Sequence, residues 1–274
     1  MVRVDDDDPG LEGDDPTARF AALVQGPEDE LPLDEAALLI AAHAYPDLDI
    51  GFEMELLDGL AERCPEPTLD GWRRYLFVDQ GFSGNVDDYY DPDNSFLNKV
   101  LERRTGLPIT LSVLGLAVGR RLGLPLAGVG LPGHFLLRHE TEGPPVFVDP
   151  FAGGRVLDRE ACIERFRAVN GLSAPFVESY LDPVGPREIL GRMLANLRAI
   201  YATKGELEGL AWVFALRLAI PGTPPIERRE LARVLGSTGE FAEAAEVLEG
   251  LAVVMPTLET PLLAEALALR ARLN

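Results

Sequence analysis

The sequence predicts an α+β fold: a buried helix and an antiparallel hairpin at its centre, with helices before and after them. Three patterns carry that reading. Apolar residues recur at helical spacing from about residue 17 to residue 63. A run that is apolar almost all round, 109–122, is followed by two short strand-like runs, 133–138 and 146–149. Beyond Asp182-Pro183 the pattern is helical to the end.

Composition limits what such a fold can do. The 274 residues give room for one large or two modest cores, with 47% hydrophobic and 26% charged side chains, as in soluble globular proteins. No uninterrupted apolar stretch reaches the ~18–20 residues of a membrane span. Forty-five acidic against 25 basic side chains leave a net charge of −20, which repels phosphate backbones and anionic lipid, so neither nucleic acid nor membrane is an expected partner. Cys64 and Cys162 make no disulfide framework, and the N-terminus lacks the basic-then-apolar layout of a signal peptide. A cytoplasmic address is expected.

Residues 1–16 carry seven acidic side chains and one arginine, too polar a block to offset its own ordering entropy, and a solvated acidic tail is expected there. Residues 17–93 read as an N-terminal helical segment. Leu33 to Ala42 are good helix formers ending before Pro46, and Phe52, Leu56, Leu57, Leu60 and Ala61 form a core-facing stripe. Cys64-Pro65-Glu66-Pro67 breaks that run. A third helix over 69–79 then presents Trp72, Tyr75, Leu76 and Phe77. The loop 81–85 and an acidic turn, 87–93, lead out of it.

The core proper is expected over 94–182. Asn94-Ser95 opens a short helix through Glu102, and Thr105-Gly106-Leu107-Pro108 stops it and starts the buried one, since proline loses no donor in a first helical turn. That helix ends at Gly123, a fitting left-handed cap. Residues 183–274 contain a repeat: Lys204-Gly205-Glu206 and Thr238-Gly239-Glu240 lie 34 residues apart, as do Ala211 and Ala245. This is the tetratricopeptide period. Two copies are fewer than stand alone, so the helical tail should lean on the core.

Chemistry is expected in the hairpin. Pairing Leu137 with Val146 gives cross-strand numbers that sum to 283, which sets His134 opposite Asp149 at a Cβ separation of ~4.5–5.5 Å. A carboxylate at that range fixes the imidazole tautomer and raises the basicity of the other ring nitrogen, the orienting half of a nucleophile–base–acid triad. The start of the buried helix is where a nucleophile belongs, because its free N–H groups stabilise an anion. It offers no cysteine, only the hydroxyls of Thr110 and Ser112. Core packing is the expected role of Cys64 and Cys162. His43 reads as packed or surface, His139 as a loop residue, Asp93-Asn94-Ser95 as helix capping, and Arg103-Arg104 as partners of nearby carboxylates. No ligand spacing for a metal and no glycine-rich phosphate cradle is present, so neither metal nor cofactor is expected.

Three consecutive motifs carry a family resemblance. Asn94-Ser95-Phe96-Leu97-Asn98-Lys99-Val100-Leu101-Glu102-Arg103-Arg104-Thr105-Gly106-Leu107-Pro108-Ile109-Thr110-Leu111 is followed by Gly128-Val129-Gly130-Leu131-Pro132-Gly133-His134-Phe135-Leu136-Leu137-Arg138 and by Val148-Asp149-Pro150-Phe151. Together they resemble the SirB-type transglutaminase-like proteins, which also carry a tetratricopeptide-like tail. The resemblance implies a papain-like core in which Gly-x-Cys opens the buried helix and histidine and aspartate follow on strands. Gly106-Leu107-Pro108, His134 and Asp149 match those positions, with proline where the cysteine would stand. Proline has neither a nucleophile nor an N–H, so thiol chemistry there is closed. The expected function is a non-catalytic interaction or regulatory protein that binds a protein or peptide through its groove and helical repeats. The alternative is a hydrolase or acyltransferase on peptide-like amides, with His134 as base, Asp149 as orienter, and Thr110, Ser112 or water as nucleophile.

Overall fold

The structure, a computed structural model, describes residues 15–140 and 143–273. Residues 1–14, most of the acidic tail, lie outside that range. Helix α1 (Pro16–Gln25) begins with proline at its first position and Asp15 as N-cap, accepting from the Thr17 and Ala18 N–H groups. Asp15 and Pro16, assigned from sequence to the tail, thus belong to the helix. α2 (Leu33–Ala42) is buried over most of its length, α3 (Ile50–Glu62) buries Leu57, Leu60 and Ala61, and α4 (Leu69–Arg74) runs on into a π-helical turn, Tyr75–Asp79.

The acidic turn leads into a 3-10 turn, Pro92–Ser95, and only then into α5 (Leu97–Arg103), so the expected short helix has two pieces. β1 (Ser83–Gly84) and β2 (Thr105–Gly106) pair in parallel just ahead of α6 (Pro108–Arg121), the buried central helix. Eleven of the fourteen residues of α6 are buried. Asp34 of α2, 1% exposed, ties the two helices together by accepting from Arg120 at 2.9 Å and Arg121 at 2.6 Å.

After α6 come β3 (Leu126–Val129), β4 (Leu136–His139), β5 (Val146–Asp149), β6 (Arg155–Leu157) and, beyond α7 (Arg159–Asn170), β7 (Pro183–Val184). They form one antiparallel sheet in the order β6-β5-β4-β3-β7. One face contributes Leu137 and Val148 to the main core that holds α6. The other closes a smaller core with Cys162 and Phe166 of α7 and with Leu181.

The hairpin register corrects the sequence expectation. Leu137 pairs with Val148 and His139 with Val146, so cross-strand numbers sum to 285, not 283. His134 stands outside the ladder, two residues before β4, and His139 is a strand residue rather than a loop residue. The expected strand over 133–138 stops one residue short of His139, which pairs with Val146, and where the strands end sets the register. A two-residue slip preserves which face each side chain takes, so the consequence for the site is small.

The remainder is helical: α8 (Pro186–Lys204), α9 (Leu207–Ala219), α10 (Glu227–Thr238), α11 (Phe241–Val254) and α12 (Glu259–Arg270). The α8–α9 and α10–α11 turns carry Gly205 at φ 71° and Gly239 at φ 97°, the left-handed cap that favours glycine. These are the repeated glycines seen in the sequence. Ile189, Leu190, Met193, Leu194 and Leu197 of α8 join the same core as α2 and α6, so the tail leans on the rest as expected. Among the described residues no helix is long and apolar enough to cross a membrane.

Candidate functional site

The site is assembled where α6 begins. Leu107 is the extended N-cap, its N–H bonded to the Asn94 carbonyl, and Pro108 occupies the first helical position. Because the early N–H groups of a helix have no partner within it, this end carries positive potential. Pro108, Ile109, His134, Phe135, Tyr89 and Asn196 border a cleft of about 170 Å³ over that end.

His134 reaches the cleft from a turn, not a strand. Gly133 has φ 74°, and the His134 N–H closes the turn on the Leu131 carbonyl at 2.9 Å. A Cβ on Gly133 would come within 2.5 Å of Val169 Cγ1, so both conformation and space require glycine. Arg192 of α8 fastens this turn. Its guanidinium donates to the carbonyls of Gly130 at 2.6 Å, Leu131 at 3.0 Å and His134 at 3.1 Å. Asn170 of α7 adds a bond to the Pro132 carbonyl at 2.9 Å.

Asp149, the last residue of β5, is fully buried, and its Oδ1 lies 3.0 Å from His134 Nε2. The same oxygen accepts from the Ala152 N–H at 3.2 Å, while Oδ2 sits 2.8 Å from Arg165 of α7. Burial, the largest influence, pushes the Asp149 carboxyl up, but His134, Arg165 and the Ala152 N–H together hold it below its ordinary range. An ionised Asp149 keeps the proton on Nε2 and leaves Nδ1 as the basic nitrogen of the ring. Phe151 packs edge-on against the imidazole at 6.1 Å.

The hydroxyls expected near the histidine do not meet it. Ser112 Oγ donates back to the Pro108 carbonyl at 2.8 Å, the usual bond of a helix-interior serine. Thr110 is fully buried in α6, and Asp149 is the side-chain hydrogen-bond partner of His134 among the described residues. Burial disfavours the thiolate at both cysteines. Cys162 belongs to the smaller core, where burial pushes its thiol up to about 12. Cys64 donates to the Glu66 carbonyl at 3.4 Å, with its thiol also raised by burial.

His43 is packed as expected, bonded to Leu39 and Thr17 and stacked on Trp212 at 5.2 Å. Arg103 pairs with Asp91 and Asp93, whereas Arg104 turns to Gln80. Among the described residues no group of three or more His, Cys, Asp or Glu stands close enough to hold a metal ion.

Sequence reasoning missed the residues that hold the site from afar. Arg165 and Arg192 are ordinary surface arginines by pattern. Asn94 caps neither helix, contrary to the sequence expectation: Asp91 and Phe96 hold the cap positions, and Asn94, fully buried, donates to the carbonyls of Asp88 at 2.7 Å and Tyr89 at 3.3 Å, which sets the loop that carries Tyr89 to the cleft.

A helix N-terminus facing a histidine that a buried aspartate orients, at the ends of two inner strands of an antiparallel sheet, is the frame of a transglutaminase-like protein. The family profile of the transglutaminase-like superfamily matches residues 50–195, more than half of the chain, and the chain belongs to that superfamily. Among its relatives, a UPF0162 protein of Xylella fastidiosa is 45% identical over 187 residues, covering 64% of this chain and 66% of that protein. A UPF0162 protein of Pseudomonas aeruginosa is 34% identical over 183 residues, again 64% and 66%. F-box only protein 21 of the mouse is 31% identical over 229 residues, 69% of this chain but 35% of that protein. The chain thus aligns with about two thirds of the length of the bacterial relatives. No solved structure is significantly similar to it.

Proposed function

We propose that this protein is a non-catalytic interaction or regulatory module: a SirB-type, papain-like core that has lost its nucleophile, joined to a tetratricopeptide-like helical tail. In this reading residues 17–93, 94–182 and 183–274 are the N-terminal helical segment, the core and the tail, and a protein or peptide binds the cleft between core and tail. The observation that carries it is Pro108 at the first position of α6, bordering the same cleft as His134. A pyrrolidine ring in place of a thiol leaves the oriented imidazole with a wall rather than a partner. The equivalent turns at Gly205 and Gly239 support the repeat reading.

One observation favours a second reading. The pairing of His134 with a buried, acid-shifted Asp149 is what a general base acting on water needs, which would make the protein a hydrolase of peptide-like amides. A peptide mixture incubated in isotopically labelled water separates the two. Binding without isotope entry into new carboxyl groups, the same for wild type and His134→Ala, is the expected result. Incorporation that depends on His134 would overturn the non-catalytic reading.

A further inference from the structure

The cleft at His134 does not end there. At Tyr89 and Asn196 it shares a wall with a second hollow of about 400 Å³ that runs along α8. Asn196, Ala199, Ile200 and Thr203 face this hollow at the i, i+3, i+4, i+7 spacing of one helix stripe, with Tyr90 across from them and Lys204 at its far end. The combined groove is long, partly apolar and lined by two tyrosines, which supply large contact area at low entropic cost.

Its charge is opposite to that of the molecule. The chain has 45 acidic and 25 basic side chains, yet the charged residues bordering the two hollows are Lys204 and Arg192, with no carboxylate among them. Arg192 is already committed to three carbonyls. Lys204 is exposed and has no ion-pair partner among the described residues, whereas the other lysine, Lys99, is paired with Glu102. Taken with the positive end of α6 at the opposite extremity, the groove presents cationic potential at both ends of an apolar floor.

We propose that this groove binds an extended peptide segment with an acidic side chain that pairs with Lys204 and an apolar side chain seated between Tyr90 and Ile200. The proposal rests on the reading of the cleft as a peptide site and names the class of peptide it takes. Lys204 makes the groove selective, because a basic segment meets it as a like charge.

The test is a display selection of random peptides on the full-length chain, repeated on Lys204→Glu and Lys204→Gln. Both substitutions lie on an exposed position, and unchanged thermal unfolding establishes that each variant is folded. Peptides selected on wild type should share one acidic position, lose about two- to five-fold in affinity on Lys204→Gln and more on Lys204→Glu, and weaken with added salt. Selection on Lys204→Glu should replace the acidic position by Lys or Arg. Peptides selected on the folded chain but indifferent to both Lys204 variants would overturn this inference and leave the peptide-site reading standing. Recovery of no peptide above background on the folded chain would overturn both.

Discussion

His134 Nε2 and Asp149 Oδ1 meet at 3.0 Å although one residue precedes its strand and the other ends the neighbouring strand, two positions out of direct register. The contact is held from both sides: Arg165 and the Ala152 N–H fix the carboxylate, and Arg192 fixes the turn that carries the imidazole. Each of these restraints makes a prediction.

The carboxylate should make stability pH-dependent. Asp149 has a lower pKa folded than unfolded, so its contribution is present above the unfolded value of about 3.9 and is lost as pH falls through the folded one. Asp149→Asn should destabilise by about 2 kcal/mol near neutral pH, because it leaves Arg165 without its buried partner. Urea midpoints of wild type and variant should converge below about pH 4. Parallel curves down to about pH 2 would show that His134 and Arg165 do not stabilise the ionised form.

Arg192 makes a separate prediction. Three carbonyls accept from one planar guanidinium, and an ammonium cannot reproduce that fork. Arg192→Lys and Arg192→Met should therefore behave alike, each costing about 2 kcal/mol. The His134 N–H, bonded to the Leu131 carbonyl, should exchange faster in both. Hydrogen-exchange mass spectrometry of the peptide spanning 130–135 checks this, and wild-type protection in Arg192→Lys would refute the clasp.

Two glycines with positive φ should differ in cost. Gly239 has open space around a would-be Cβ, so Gly239→Ala meets the left-handed backbone penalty alone, about 1 kcal/mol. Gly133→Ala adds a clash with Val169, whose β-branched side chain has little freedom to move, and should cost about 2–3 kcal/mol. Val169 is 52% exposed, so adding Val169→Ala should recover the difference between the two. Chemical denaturation of the three variants decides it.

The sequence shows the local half of this site and hides the rest. Pro108, His134 and Asp149 are legible because each lies in a short motif whose backbone fixes where the side chain goes. The turns at Gly205 and Gly239 are legible for the same reason, as each needs a left-handed conformation that few other residues adopt. The hairpin register is not, because it depends on where β4 ends, at His139, and residue types there do not determine that end. Strands β3 and β6 are only four and three residues long and are held by the sheet rather than by their own propensity. Arg165, Arg192 and Asn196 come from helices that follow the hairpin in sequence, and which of many arginines meets a given acceptor is a property of packing alone.

The substitution that decides how much of an active site remains is Pro108→Cys. Proline at a first helical position has no N–H to lose, so cysteine fits there without breaking a hydrogen bond of α6. The new thiol would stand at the positive end of a helix, bordering the cleft of an imidazole whose tautomer Asp149 sets. Both features favour the thiolate. Cys64 and Cys162 supply internal controls, since burial raises the pKa of each. At neutral pH iodoacetamide should label Cys at 108 at least about ten-fold faster than Cys64, with Cys162 unreactive until the chain unfolds. Adding His134→Ala should slow the labelling, because a neutral alanine cannot hold the proton that leaves sulfur. If the introduced thiol labels no faster than Cys64, the geometry around α6 does not support an anion.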